Sequence, residues 1–218
     1  MGSARRPTTY VYVDGFNLYY RKLKGTPYKW LNVRRLAELL LPQNAVDRVF
    51  YVTARITARP GDPDQPQRQQ TYLRALETVG TEIVYGTFQT KPKQRPLLND
   101  LVVGSGQVAA GTLVWILDTE EKGSDVNLAT LLLGNAAAKR CDMSVVMSND
   151  SDLELTIRTC CRELNHPVGV LSTQPSNSLA LKSGATFYKR IREGVLAASQ
   201  FAPVLRDAAG QIHKPAGW

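Results

Sequence analysis

Cysteine and histidine are scarce in this chain of 218 residues, with three of the first and two of the second. Cys141, Cys160 and Cys161 form an odd set with two adjacent members, a poor framework for disulfides. No Cys-x-x-Cys pair offers zinc a half-site. His166 and His213 lie in segments that supply neither with a partner, which argues against histidine-dependent hydrolysis. No stretch approaches the roughly 18 apolar residues of a membrane span. The Gly-x-Ser-x-Gly of serine hydrolases and the glycine-rich phosphate loop ending in Lys-Ser/Thr are also missing. The opening MGSARRPTTY carries two arginines without the apolar run of a secretory leader. The expectation is a cytoplasmic protein with reduced cysteines and no membrane partner.

What is present is globular. Apolar residues make up 43% and charged residues 21%, which argues against disorder and coiled coil. The length suits one generous domain, or one domain with a short appendage. Lys and Arg number 27 against 19 Asp and Glu, a net charge of +8 that favours a polyanionic partner.

Periodicity divides the chain into alternating elements. YVYVD (10–14), RVFYVTARI (48–56), EIVYGTF (82–88), TLVWILD (112–118), MSVVMS (143–148), PVGVL (167–171) and ATFY (185–188) read as strands. Between them the spacing predicts helices from Asn17 to Lys22, over 33–41, from Gln69 to Val79, from Asp125 to Lys139 with Ser124 as cap, over 152–164 and at 177–182. Residues 59–68 read as a polar loop, and 89–118 as an inserted loop or hairpin outside the common core. A helix near 193–200 and a loose tail complete the chain. Alternation of this kind predicts an α/β fold, a mostly parallel sheet with helices on both faces.

In such sheets chemistry gathers at the C-terminal strand ends. Strand one ends in Asp14, followed by Gly15 and Asn17; the strand at 143–148 runs into Ser148-Asn149-Asp150-Ser151-Asp152; the helix at 125 opens with Gly123-Ser124-Asp125. Four carboxylates within about 4–6 Å could not all ionise at neutral pH without compensation. Each close pair costs on the order of 4 kcal/mol at an effective dielectric of 20. Lys122 is the one basic residue beside these segments, so a hard cation with oxygen ligands, Mg²⁺ or Mn²⁺, is the natural counter-charge. A plainer reading makes each acid a helix cap. It does not account for Asp-x-Asp after one strand and Asp-Gly after another.

VYVDGFNLYY (11–20), EKGSDVNLA (121–129) and SNDSDLE (148–154) resemble, in order and placement, the three signature segments of the NYN domain, a family of the PIN-like superfamily of metal-dependent nucleases. The resemblance implies a Rossmann-like sheet over 9–192; outside it the chain reads as a flexible segment at 1–8 and a helix and tail at 193–218. It implies a metal-dependent ribonuclease in which Asp14, Asp125, Asp150 and Asp152 hold Mg²⁺ or Mn²⁺, the ion activates water to cleave single-stranded RNA, and Asn17 accompanies the first acid. Asn149 stands where the family usually has a small residue, and Leu153 where it often has an aromatic one.

Arg21, Lys22 and Lys24 follow the first segment among Tyr19, Tyr20, Tyr28 and Trp30, a mixture that suits single-stranded nucleic acid. Lys91 and Lys93 in the long loop, and Lys122 beside the acids, are further candidates for phosphate contact. RNA is the expected partner, with DNA and a homodimer as further options. Gly104-Ser-Gly106-Gln-Val-Ala109 matches a dinucleotide fingerprint, but a strand follows where a helix should. Two alternatives stand beside the nuclease: a non-catalytic RNA-binding module, and a metal-dependent phosphohydrolase of a small substrate on the same fold.

Overall fold

The computed structural model describes residues 5–58, 61–97, 113–174 and 178–218. The fingerprint-like stretch at 104–109 lies outside them. The elements run β1 (Thr8–Asp14), α1 (Gly15–Leu18) continuing into a π-helical turn (Tyr19–Leu23), α2 (Val33–Leu40), β2 (Ala45–Ala54), α3 (Gln65–Glu77), β3 (Thr81–Pro96), β4 (Leu113–Lys122), α4 (Ser124–Ala137), β5 (Met143–Met147), a 3₁₀ turn (Ser151–Leu153), α5 (Glu154–Arg162), β6 (Val168–Ser172), α6 (Leu179–Gly184), β7 (Phe187–Arg190), α7 (Glu193–Ala197), β8 (Val204–Asp207) and β9 (Gly210–His213).

Seven strands form one sheet in the order β4-β3-β2-β1-β5-β6-β7, parallel except for the β3–β4 pair. β1 is central because its residues are apolar on both faces. Val11 and Val13 join Val49, Tyr51 and Met147 in the core under α2, α3 and α7. Tyr10 and Tyr12 join Phe50, Val52 and Val146 in the core under α4, α5 and α6. This alternation fixes the register, since a slip by one residue would exchange the two faces. From β1 the chain builds outward through β2 and β3, then crosses to β5 on the other side. The reversal opens a crevice beyond the carboxyl ends of β1 and β5, the usual ligand site of an open α/β sheet.

One sequence expectation is made specific and three need correction. The insertion expected at 89–118 as a loop or hairpin is a hairpin in its described part: β3 continues to Pro96 and pairs antiparallel with β4, from Thr87 opposite Lys122 to Pro96 opposite Leu113. The prolines of KPKQRP lie within β3. They are tolerated because β2 pairs β3 only as far as Gly86, leaving one edge beyond it without a ladder. α3 starts at Gln65, with Pro66 in its first turn, where a missing N–H costs nothing. Ser124 is the first residue of α4 rather than its cap; Gly123 precedes it at φ +89°, a left-handed turn that favours glycine. The tail is not loose. β8 and β9 form a hairpin held to α3 by Arg74, whose guanidinium grips Asp207 at 2.8–3.0 Å. Trp218 packs 5.5 Å from the Tyr72 ring and 6.3 Å from that of Trp30.

Candidate metal centre

β1 ends by placing Asp14 at the crevice, where it caps α1: Asn17 N–H donates to Asp14 Oδ1 at 2.9 Å. The helix can begin directly after the strand because residue 15 is glycine. A Cβ there would lie 2.7 Å from the Tyr51 ring and 2.8 Å from the Val52 carbonyl oxygen. β5 is followed directly by Ser148, whose hydroxyl donates to Asp14 Oδ2 at 2.9 Å and accepts from Asp150 N–H at 3.0 Å. Asp150 in turn caps the 3₁₀ turn through Asp152 N–H at 3.1 Å. Glu121, at the end of β4, accepts from both the backbone N–H and the hydroxyl of Ser124, fixing the first turn of α4 and with it Asp125.

Three segments thereby bring Asp14, Asp125 and Asp150 together, with one carboxylate oxygen of each within 4.8 Å of the others. Asp14 is buried, Asp150 half-buried and Asp125 exposed. Burial pushes the Asp14 carboxyl up to about 6; hydrogen bonds from Asn17 and Ser148 oppose this, and the charges of Asp125 and Asp150 add to it. Asp125 is also raised, first by burial and then by Asp150, Glu121 and Asp152. Among the described residues no lysine or arginine forms an ion pair with the trio. Three converging carboxylates without a cationic partner fit a hard divalent cation, and the donor set is all oxygen.

The remaining sequence candidates separate. Asp152 stands outside the trio, exposed, but its charge reaches Asp125. Asn17 does not bond Asp14 through its side chain. Its Oδ1 accepts from Asn149 N–H at 3.2 Å and from the Thr173 hydroxyl at 2.5 Å, joining the ends of β1, β5 and β6. What Asn17 can still offer the cleft is its NH₂. Arg21 lines the acidic cleft, an opening of about 340 Å³ that Phe16, Tyr20 and Glu121 also wall. Lys22 is half-buried and outside that wall. Lys91 is exposed on the hairpin. Lys93 is ion-paired with Asp118 at 3.0 Å and with Glu120, and Lys122 with Glu120 at 2.8 Å. The basic patch of the long loop is therefore largely neutralised by the strand opposite.

Ser148, Glu121 and Thr173 position the site and were not singled out from sequence; Asn149 was noted there only as a departure from the family pattern. Asn149 Oδ1 accepts from Ser172 and Tyr188 hydroxyls at 2.9 and 2.7 Å, so the unusual asparagine ties the acidic loop to β6 and β7. His166 does have a partner: its Nε2 lies 2.9 Å from the Ser144 hydroxyl. That pair is buried at the start of β5, the end of the strand away from the acids.

A mostly parallel sheet that delivers acids to its strand-order reversal defines a Rossmann-like α/β domain of the PIN-like class. The family model described as "NYN domain" matches residues 8–191, and the chain belongs to that family. It is 29% identical over 236 aligned positions to the 6-hydroxy-3-succinoylpyridine 3-monooxygenase HspA of Pseudomonas putida, covering 96% of this chain and 75% of that protein. Its fold is similar to the crystal structure of a protein of unknown function from Vibrio parahaemolyticus. The TM-score is 0.56 at 18% identity, over 88% of this chain and 98% of that one. No helix among the described residues is long and apolar enough to cross a membrane.

Proposed function

We propose that the protein is a metal-dependent ribonuclease that hydrolyses phosphodiester bonds of single-stranded RNA. The observation that carries this reading is the convergence of Asp14, Asp125 and Asp150 within 4.8 Å at the sheet's topological switch point. These three residues would hold Mg²⁺ or Mn²⁺. Such an ion supplies Lewis acidity toward a phosphoryl oxygen and makes a bound water more acidic. Arg21 and Asn17 line the cleft; in this reading Arg21 pairs with a backbone phosphate and the Asn17 NH₂ donates to one of its oxygens. Asp152, at the margin, keeps the local field negative. Ser148 and Glu121 hold the acids in position. The net charge of +8 supports a polyanionic substrate, and the open cleft suits a strand passing through.

The test is cleavage of end-labelled single-stranded RNA with Mn²⁺. Asp14→Asn should slow it on the order of 100-fold or more, and chelation should abolish it. Turnover unaffected by Asp14→Asn would remove the mechanism.

A second reading follows the likeness to HspA, whose name makes it an oxygenase of a hydroxypyridine. It is supported by an aromatic-lined cavity of about 270 Å³ beside the acids. It predicts oxygen uptake with 6-hydroxy-3-succinoylpyridine and a two-electron donor, independent of RNA. The all-carboxylate donor set favours the hydrolytic reading, because oxygenase iron is commonly held by two histidines and a carboxylate.

A further inference from the structure

The cavity of about 270 Å³ shares Phe16 and Tyr20 with the acidic cleft, so one stacked pair of rings, 6.4 Å apart, stands between the two spaces. Tyr19, Tyr51, Tyr72 and Trp218 add four more aromatic rings to its wall. The volume lies at the small end of ligand pockets, room for a single ring system rather than an extended ligand.

Several polar groups around it are already committed. Tyr72 O–H donates to the Leu31 carbonyl at 2.8 Å. The Gln69 amide bridges Ala54 O and Ile56 N–H at 2.9 and 3.1 Å. Arg68 Nη2 holds Asp62 at 2.5–2.6 Å, and Lys29 Nζ donates to the Gly217 carbonyl at 2.7 Å. With these groups engaged internally, the six aromatic rings supply much of the remaining wall. A site of this kind accepts a flat π system and discriminates little by hydrogen bonding.

We propose that this cavity is a stacking subsite for one unpaired nucleobase of a strand whose backbone crosses the acidic cleft. The inference rests on the ribonuclease reading and extends it. The same ring pair that walls the cleft would separate the base from the phosphate beside it. A paired base cannot enter, so the subsite selects single-stranded substrate, and recognition by ring faces makes it tolerant of base identity. The closing wall comes from the far end of the chain, Ala216–Trp218, held by the Lys29 bond and by Trp218 against Tyr72.

The test is binding in EDTA, which needs neither metal nor turnover. Saturation-transfer NMR on the wild-type protein uses uridine and adenosine 5′-monophosphates and the bare rings uracil and adenine. Fluorescence anisotropy uses a labelled single-stranded RNA ten-mer and versions with one abasic ribose moved along it. The proposal expects saturable binding of both monophosphates with affinities within a few-fold, and roughly tenfold weaker RNA binding when the abasic site meets the cavity. Trp218→Ala should remove that abasic effect, and Trp218→Phe should keep it. If the bare rings bind as tightly as the nucleotides and the ten-mer gains nothing, the cavity belongs to a small free heteroaromatic molecule and the proposal is wrong. Absence of any saturable ring binding also overturns it. Loss of RNA cleavage with ring binding intact would defeat only the ribonuclease reading; cleavage indifferent to abasic sites would defeat only the subsite.

Discussion

The Ser148 hydroxyl donates to Asp14 at 2.9 Å and accepts from the N–H of Asp150 at 3.0 Å, so one small side chain connects the acid of β1 to the acid after β5. Ser148→Ala removes the donor that opposes the upward push on Asp14 and leaves a backbone N–H without its acceptor. Leaving a buried group without its hydrogen bond costs about 1–3 kcal/mol. Urea denaturation should show a stability loss of that order, with the Asp14 carboxyl raised further in carboxylate NMR titration.

The buried Asp14 predicts an inverted pH dependence in metal-free buffer. Its carboxyl is raised from 3.8 to about 6 in the folded protein. Between about pH 4 and 6 the native state keeps the proton that the unfolded state has lost, so this residue's contribution falls as pH rises and levels off above. Asp14→Asn removes the penalty. In EDTA at pH 7.5 the variant should be more stable than wild type by on the order of 3 kcal/mol, with the gap closing toward pH 4. Thermal unfolding across pH checks this; a gap that widens as pH falls would contradict it.

Glu121 separates capping from charge. Its carboxylate accepts from both groups of Ser124 and also raises Asp125. Glu121→Ala should cost about 1 kcal/mol as a lost helix cap. Glu121→Gln keeps an acceptor and should cost less, while lowering the Asp125 carboxyl. Chemical denaturation and NMR titration of the two variants distinguish the roles.

Gly15 is required by space. Its neighbours, the Tyr51 ring and the Val52 carbonyl, stand 2.7–2.8 Å from where a Cβ would be. Gly15→Ala should lose about 1–3 kcal/mol through overpacking, and should weaken Mn²⁺ binding because Asp14 sits on the displaced turn. Calorimetric titration with Mn²⁺, run beside denaturation, checks both.

How much could be read from the chain depends on where the information lies. Asp14, Asp125 and Asp150 were legible because each directly follows or opens an element whose apolar pattern is plain, and the topology of a parallel sheet sends such ends to one rim. Ser148 and Glu121 lay inside the segments that were noticed, but their hydrogen bonds are tertiary. The extension of β3 was hidden by Pro92 and Pro96, which read as loop residues until the pairing shows that one edge needs no donors. β8 and β9, four residues each, are too short for periodicity to speak. Arg74 and its grip on Asp207, 133 residues away, hold that hairpin in place. The pairing of Lys93 and Lys122 with Asp118 and Glu120 could not be read from the chain, because it depends on the β3–β4 register.

The most direct test is a Mn²⁺ titration followed by electron paramagnetic resonance. The account predicts saturable binding that Asp14→Asn weakens roughly tenfold or more, while Lys91→Ala leaves it unchanged. Binding that survives Asp14→Asn intact, or no saturable site at all, would contradict it.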